Sequence, residues 1–430
     1  MNIQINKIIK RFIFSSISKL IASAGLILFN FTVINLMNKE TLGILTVAIS
    51  LITFLSIFSK FGLNHATLRL TSIFYENKNK EKIKKLILYA VVISGFISFI
   101  ISFLIIVFEK KIALEIYNNG EVKGVLKIIA ISLPIFTFIQ IQKSFLRSFR
   151  LPELSNFSDL GSILFVCCLI IFCFNFIGIN LSINRISLFF LLSCLIIFSL
   201  NNYILFYFIL SNLKTSAKDK VIDLRKKLIK TLPDYFVIDF VNYSLVWGSI
   251  FICTFFYDPV TIGNFSSTYW LAFSLLFFPL VLNSIYGPMY AIHSENDDNK
   301  ELEKLFYQNR NISIIITLPF FLIIFIFSEF FLSKVFEINL KEYVLILRIL
   351  LINSMLRVIF GPQVLFLNMN NKQKKLKFIS MICAIFQIVL IFISVINFNL
   401  TILSIAFLIS NLVKHILLKI ELQNSFLRKI

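Results

Sequence analysis

The sequence predicts an all-α integral membrane protein, with twelve transmembrane helices in two parallel six-helix bundles around a central cavity. Three observations predict this fold class: a very apolar composition, twelve apolar segments of membrane-spanning length, and a repeat that relates the two halves of the chain. Of the 430 residues, 58% are hydrophobic and 15% are charged, whereas a soluble domain has about 25% charged residues. Lipid must therefore surround much of the chain.

Each apolar segment is close to the length of about 20 residues that a helix needs to cross a bilayer. The six segments of the first half are 12–37, 44–63, 86–108, 125–145, 160–176 and 186–210, and those of the second half are 232–256, 268–291, 312–331, 343–360, 378–396 and 400–418. No small-residue cleavage site follows the basic run Met1 to Arg11, so we expect an uncleaved first helix and not a signal peptide. The predicted domains are an N-terminal half (1–210), a basic cytoplasmic linker (211–231) and a C-terminal half (232–430).

The loop charges predict that both termini lie inside the cell. Lys and Arg number 42 against 22 Asp and Glu, a net charge of +20. With the N-terminus inside, about 29 of the basic residues fall in cytoplasmic segments and about 7 in outer loops, as the positive-inside rule requires. The basic balance is therefore explained by topology, and we expect no nucleic-acid partner. The linker 211–231 has two interpretations, a surface for anionic lipid or a solvated connection that follows the same rule.

The two halves resemble one another at a shift of about 220 residues. The run from Lys39 to Gly43 precedes the second segment, and the run from Asp258 to Gly263 precedes the eighth. Six helices per repeat is an even number, so both halves share one orientation and are related by an axis along the membrane normal. This is the plan of many transporters, with a binding site between the halves and alternating access to it.

Two charged residues lie deep inside predicted helices, where each needs a functional or structural reason. Lys19 is seven residues into the first segment and shares a helical face with Ser23 and Asn30,. Asp239 is seven residues into the seventh segment, its short side chain cannot reach the interface, and Asn242 lies on the same side. For Lys19 the alternative is helix–helix hydrogen bonding by small polar residues, and for Asp239 it is a structural ion pair.

Other membrane charges lie nearer to helix ends, where long side chains can reach the interface. They are Lys60, Lys127, Arg348, Arg357 and Lys414. Arg357 shares a face with Asn353, whereas Arg348 lies on the opposite side of the tenth segment. We therefore prefer Arg357 as the arginine that faces a cavity.

The nine residues from Phe61 to Arg69 read FGLNHATLR and resemble the signature after the second helix of bacterial polysaccharide flippases. The run up to Gly43 and the region from Tyr257 to Pro288 resemble other parts of that family, and the helix count, basic central loop and short outer loops agree over nearly the whole chain. The resemblance implies a member of the multidrug, oligosaccharidyl-lipid and polysaccharide exporter superfamily.

That resemblance implies a flippase that moves undecaprenyl-diphosphate-linked oligosaccharide repeat units across the cytoplasmic membrane of a bacterium, by alternating access, for a surface polysaccharide such as O-antigen. The implied partners are this substrate, membrane lipids and the polysaccharide polymerase machinery. Lys19, Ser23, Asn30, Asn242 and Arg357 become the candidate substrate-binding residues, and Asp239 and Lys19 the candidate coupling or gating residues. No cofactor or metal site is expected, and a proton or cation gradient can supply the energy.

The repeat also relates Lys19 to Asp239, which predicts that the two side chains approach each other in one state of the transport cycle. In this hypothesis the substrate diphosphate competes with Asp239 for Lys19. Two alternative functions stay open at this point. One is a drug or small-solute exporter of the same superfamily, and the other is an integral-membrane glycosyltransferase, ligase or polymerase, for which the short outer loops offer few acids.

Overall fold

The structure is a computed structural model that describes residues 2–76, 79–117, 119–212, 222–295, 299–370, 372–396 and 399–427. Throughout these ranges the regular elements are helices, as the composition predicts. The chain divides into two compact units, Met1–Tyr243 and Ser244–Ile430.

The first unit is built around a long helix that packs against five others. Its helices are α1 (Asn2–Leu36), α2 (Lys39–Lys60), α3 (Leu63–Glu76), α4 (Lys80–Lys111), α5 (Val122–Ser148), α6 (Pro152–Asn156), α7 (Leu160–Phe176), α8 (Ile183–Asn212) and α9 (Ile222–Val246). Helix α5 contacts α2, α3, α4, α6 and α8, and α1 packs along α7. A core that includes Leu63, Ile83 and Phe145 joins α3, α4 and α5.

The second unit is centred on α15 and α18. Its helices are α10 (Gly248–Cys253), α11 (Pro259–Phe273), α12 (Phe277–Glu295), α13 (Asn299–Ile326), α14 (Ser328–Phe330), α15 (Lys341–Phe360), α16 (Gln363–Met369), α17 (Gln373–Ile396) and α18 (Leu400–Leu427). Helix α15 contacts α11, α13 and α18, and α17 packs along α18. Tyr290, Phe306 and Phe366 form part of a buried core that joins α12, α13 and α16.

Within the described residues, ten helices are long and apolar enough to cross a membrane. They correspond to ten of the twelve predicted segments, and the fifth segment matches the shorter apolar helix Leu160–Phe176. The seventh predicted segment, 232–256, is not one continuous helix, because α9 ends at Val246 and α10 begins at Gly248. The Tyr269 hydroxyl donates to the Val246 carbonyl at 2.6 Å, so this carbonyl at the break has a partner.

Several local features recur in the two units at the predicted shift of about 220 residues. Helix α2 starts after Asn38, whose side chain accepts the backbone N–H of Thr41, and α11 starts after Asp258, whose side chain accepts that of Thr261. A one-turn π-helix follows α4 at Ile112–Ile116, and another follows α14 at Phe331–Val335. The repeat therefore extends from sequence to local backbone structure.

The division into units differs from the predicted halves at helix α9. Residues 232–243 were assigned to the C-terminal half, but they belong to the first compact unit. The reason is side-chain packing on α2: the Phe236 ring lies 5.4 Å from that of Phe58, and the Tyr243 hydroxyl donates to the Ser50 carbonyl at 2.9 Å. Of the predicted linker, residues 222–231 are helical, and 213–221 lie outside the described residues.

Candidate functional site

Lys19 is part of a charged cluster in the first unit. Its ammonium lies 2.9 Å from Oδ2 of Asp159, the residue that immediately precedes α7. The ammonium of Lys143, on α5, contacts the other carboxylate oxygen of Asp159. The three side chains are 18–24% exposed, so the cluster is largely but not completely shielded. We call Lys19, Lys143 and Asp159 the two-lysine cluster.

Two glycines bring the helices of this cluster into backbone contact. A Cβ atom at Gly25 would lie 1.9 Å from the carbonyl oxygen of Gly161, and one at Gly161 would lie 1.7 Å from that of Ala22. Only glycine permits α1 and α7 to approach so closely. The contact begins two residues after Asp159 and one turn after Lys19, and it therefore holds the two charges next to each other.

Asp159 remains ionised in this arrangement. It stands at the N-cap position of α7, but its side chain makes no capping hydrogen bond, because both oxygens face ammonium groups. Burial raises the pKa of the Asp159 carboxyl, and the charges of Lys143 and Lys19 more than offset this effect, so the pKa lies below its ordinary value,. With two ammoniums and one carboxylate, the cluster carries one net positive charge.

The other two candidates on α1 lie on the same side as Lys19. Ser23 is partly buried, and Asn30 is 4% exposed with its amide donating to the Leu26 carbonyl of its own helix. The predicted polar face of α1 therefore lies against neighbouring helices, whereas Phe14 and Leu20 are exposed.

Asp239 belongs to a second cluster of the first unit, which we call the Asp239 cluster. Its Oδ1 accepts the amide of Asn64 at 3.1 Å and lies 3.0 Å from Nε2 of His65. The ammonium of Lys60 lies 3.9 Å from Oδ2. The Asp239 side chain is 9% exposed, and in the described part of the chain its Oδ2 is buried without a hydrogen-bond partner.

Close packing between α9 and the α2–α3 turn supports the Asp239 cluster. Gly62 has a φ of +77°, and a Cβ there would lie 2.7 Å from the Leu232 carbonyl oxygen. The ring of Phe61 stacks on Phe236 at 5.0 Å, and that of His65 on Tyr235 at 5.5 Å. The turn and the first half of α9 are thus packed as one body.

The predicted Lys19–Asp239 pair is not formed in this structure. Lys19 is bound to Asp159 because α1 packs on α7. Asp239 is bound to the α2–α3 turn because side chains of α9 contact α2. The repeat places the two residues at equivalent sequence positions, but each has a closer local partner. Asn242, predicted beside Asp239, is exposed on α9.

Arg357 lies in a third cluster, in the second unit, which we call the cationic cluster. Its guanidinium lies 5.6 Å from the centre of the Phe273 ring, and its charge acts on Lys414 and on His415 of α18. Nδ1 of His415 lies 2.9 Å from Oε1 of Gln363, and Nε2 of Gln363 donates to the His415 carbonyl at 3.1 Å. Throughout the described ranges, no carboxylate forms an ion pair with Arg357 or Lys414.

The two arginines of α15 occupy different environments, as their helical phase predicts. Arg348 is exposed, with its guanidinium 5.5 Å from the centre of the Phe325 ring. Arg357 is only partly exposed. One turn before Arg357, Asn353 is 2% exposed, and its Oδ1 has no hydrogen-bond partner among the described residues.

Sequence reasoning missed the partners in all three clusters. Lys60 and Lys414 lie close to helix ends and were expected to reach the interface, and neither Lys143 nor Asp159 was singled out from the sequence. His65 lies within the FGLNHATLR run, and its place in that run was the one feature of the sequence that could have marked it as a functional residue. Among the described residues no group of three His, Cys, Asp or Glu side chains could hold a metal ion.

Comparisons with known proteins identify the family and the fold. The family described as polysaccharide biosynthesis protein matches residues 33–337, and no curated protein matches the chain significantly. The structure is similar to that of the lipid II flippase MurJ in an inward closed conformation, with a TM-score of 0.73 and 15% identity over 96% of this chain and 87% of that one. It is also similar to an inward-facing multidrug resistance MATE family transporter of the MOP superfamily, with a TM-score of 0.69 and 11% identity over 96% and 98%.

A transporter of the MOP superfamily from Pyrococcus furiosus, described as having a binding pocket of reverse polarity, has a TM-score of 0.61 and 12% identity over 98% of this chain and 97% of that one. These proteins share a membrane transporter fold, so the predicted fold class is confirmed and the ligase or polymerase alternative is not supported. The chain is a multi-pass membrane protein of transporter fold, and it belongs to the polysaccharide biosynthesis protein family.

Proposed function

We propose that this protein is a flippase that moves undecaprenyl-diphosphate-linked oligosaccharide repeat units across the bacterial cytoplasmic membrane by alternating access. The family is one of polysaccharide biosynthesis, and one structural neighbour is a lipid II flippase. In this proposal the polymer is a surface polysaccharide such as O-antigen. The partners are the lipid-linked substrate, the surrounding lipids and the polysaccharide polymerase machinery.

The observation that supports this proposal most strongly is the cationic cluster. Arg357 and Lys414 lie on α15 and α18, two membrane-spanning helices that pack together, without a carboxylate partner in the described part of the chain. An unpaired cation costs about 3 kcal/mol at the bilayer centre on insertion scales, and less near a helix end. An anionic ligand offsets this cost, and the planar guanidinium can bind two phosphate oxygens at once. The diphosphate of a lipid carrier has the charge and geometry that such a cluster requires.

The Asp239 cluster is our candidate for energy coupling. Asp239 is a largely buried carboxylate on α9 that contacts the ammonium of Lys60 and the imidazole of His65 at the α2–α3 turn. Proton binding there changes the attraction between α9 and the α2–α3 turn, and therefore the relative stability of two conformations. In this proposal a proton gradient supplies the energy, and a cation gradient is the alternative.

The proposed function is tested by flipping of a fluorescent undecaprenyl-diphosphate oligosaccharide in proteoliposomes that contain the purified protein. We expect flipping by the wild-type protein and a loss of at least tenfold with Arg357→Ala or Lys414→Ala, since either change removes a charge-assisted contact of about 1.5–3 kcal/mol. Arg348→Ala is the matched control, because Arg348 is on the same helix but exposed, and it should keep wild-type flipping. Failure of the wild-type protein to move the lipid-linked substrate would refute the proposal.

The second candidate function is export of drugs or small solutes, which the multidrug MATE neighbours favour. It predicts efflux of cationic dyes from cells or vesicles that contain the protein. The two-lysine cluster and the cationic cluster both carry a net positive charge, which opposes this function because a cationic dye would be repelled. Dye efflux in the absence of lipid flipping would establish the exporter instead.

A further inference from the structure

The two-lysine cluster has a feature that a simple structural ion pair lacks. One carboxylate is shared by two ammoniums, each of which occupies a different oxygen of Asp159. The three side chains come from three separate elements: α1, α5 and the residue before α7. Lys19 and Lys143 are thus fixed on either side of one small anion.

This geometry is that of an anion site with an anion already in it. A carboxylate presents two oxygens to two cations, and a phosphate group presents three oxygens in a similar arrangement and carries more charge. A phosphate can therefore take the place of Asp159 between the ammoniums if the Asp159 side chain moves aside. The two ammoniums together carry a charge of +2, which a phosphate group with about two negative charges neutralises once Asp159 has moved aside.

We propose that Lys19 and Lys143 form a phosphate-binding subsite of the first unit, and that Asp159 is its internal counter-ion, which the substrate displaces. The ligand is a phosphate or diphosphate ester of a lipid, and the inference rests on the proposed function. Lys19 and Lys143 are binding residues, and Asp159 is a positioning residue that acts through them.

Exposure separates this role from a purely structural one. The side chains of Lys19, Lys143 and Asp159 are 24%, 23% and 18% exposed, so each has atoms at the molecular surface. By contrast, Asp239 is 9% exposed and is enclosed by Lys60 and by aromatic rings. The Gly25–Gly161 contact also fixes the backbones of α1 and α7 next to the subsite, so the positions from which Lys19 and Asp159 extend are held in place.

As a counter-ion, Asp159 would help the transporter to release its substrate. A transporter must bind its substrate in one state and release it in another, and this requires a difference in affinity between states. When Asp159 is turned away, the two lysines attract phosphate, and when Asp159 returns, it competes for both ammoniums. The same carboxylate keeps two neighbouring lysines from repelling one another while the subsite holds no ligand.

The test is binding of farnesyl diphosphate to the purified full-length protein in detergent, measured by isothermal titration calorimetry, with farnesol as the ligand that lacks phosphate. We expect Lys143→Gln to weaken diphosphate binding about tenfold, since it removes one charged contact. Asp159→Asn should instead tighten binding about tenfold and slow release in a flipping assay. Asp159→Glu, which keeps the competing charge, should restore affinity close to that of the wild-type protein. Lys123→Ala is the control, because Lys123 is 49% exposed and is paired with Glu109.

The results distinguish this inference from the proposed function. If Arg357→Ala weakens diphosphate binding while Lys143→Gln and Asp159→Asn leave it unchanged, the subsite is wrong and the proposed function stands. If Asp159→Asn weakens binding in a protein that is still folded, Asp159 is a structural partner and the counter-ion role is overturned. If Asp159→Asn does not fold, Lys143→Gln decides alone, with wild-type affinity as the outcome that refutes the subsite. If the wild-type protein binds farnesol as tightly as farnesyl diphosphate, phosphate recognition itself fails, and the proposed function fails with it.

Discussion

Replacement of Gly161 by alanine tests whether the close contact between α1 and α7 shapes the two-lysine cluster. The new Cβ atom would lie 1.7 Å from the Ala22 carbonyl oxygen and 2.7 Å from its carbonyl carbon. Ordinary van der Waals contact begins at about 3.4 Å, so the two helices must separate by about 1.7 Å. Both contacting groups are backbone atoms, and no side-chain rotation can relieve the overlap.

The energetic cost should be at the upper end of the range for overpacking in a core, about 3 kcal/mol. The separation should also lengthen the Lys19–Asp159 contact from 2.9 Å to beyond hydrogen-bond distance, so the charge-assisted bond is weakened as well. We therefore expect Gly161→Ala to lower the thermal unfolding temperature in detergent by several degrees, and flipping to fall with it.

The assay is intrinsic-fluorescence thermal unfolding of the two purified variants Gly161→Ala and Gly120→Ala. Gly120 is the matched control, because no atom lies within 4 Å of a Cβ built there. Equal unfolding temperatures for the two variants would refute the argument, since they would show that α1 and α7 are not in backbone contact at Gly161.

Three further predictions concern the orientation of the chain, the Asp239 cluster and the contact between α9 and α2. Reporter fusions at Asn119 should be detected outside the cell and fusions at Asn79 inside, since the loop charge bias sets the orientation, and an inside signal at Asn119 would contradict this topology. Asp239→Asn should abolish proton-driven flipping and lower the free energy of unfolding by about 2 kcal/mol, because Lys60 and His65 lose a charged partner. Unchanged proton dependence would exclude a coupling role. Tyr243→Phe should cost about 1 kcal/mol, since the hydrogen bond from its hydroxyl to the Ser50 carbonyl on α2 is lost,, whereas Tyr203→Phe, at a side chain that is 72% exposed, should cost nothing measurable.

The membrane fold was predictable because it depends on properties that are averaged over many residues. Twenty-residue apolar segments can satisfy their backbone polar groups in lipid only as helices, and ten of these segments have the expected length and hydropathy. The repeat was predictable for a similar reason, since helix starts such as those after Asn38 and Asp258 depend on local capping by the side chain itself,.

The seventh segment shows where such averages fail. It contains Pro233, Asp234 and Asp239, and the structure divides it at Trp247 between α9 and α10. Apolar content alone could not reveal the break at Trp247. The break is accompanied by tertiary contacts, namely the packing of α9 on α2 and the hydrogen bond from Tyr269 to the Val246 carbonyl.

The sequence by itself determined that this chain is helical, that it spans the membrane many times, that its halves repeat, and that Lys19, Asp239 and Arg357 are charges that need a reason. Only the tertiary structure decided which groups those charges meet: Asp159 and Lys143 for Lys19, the α2–α3 turn for Asp239, and Lys414 for Arg357. The physical reason is the distance over which the two kinds of interaction act. Solvation by lipid acts on each segment independently, whereas an ion pair forms within about 4 Å and depends on which helices pack together, here through the glycine contact between α1 and α7.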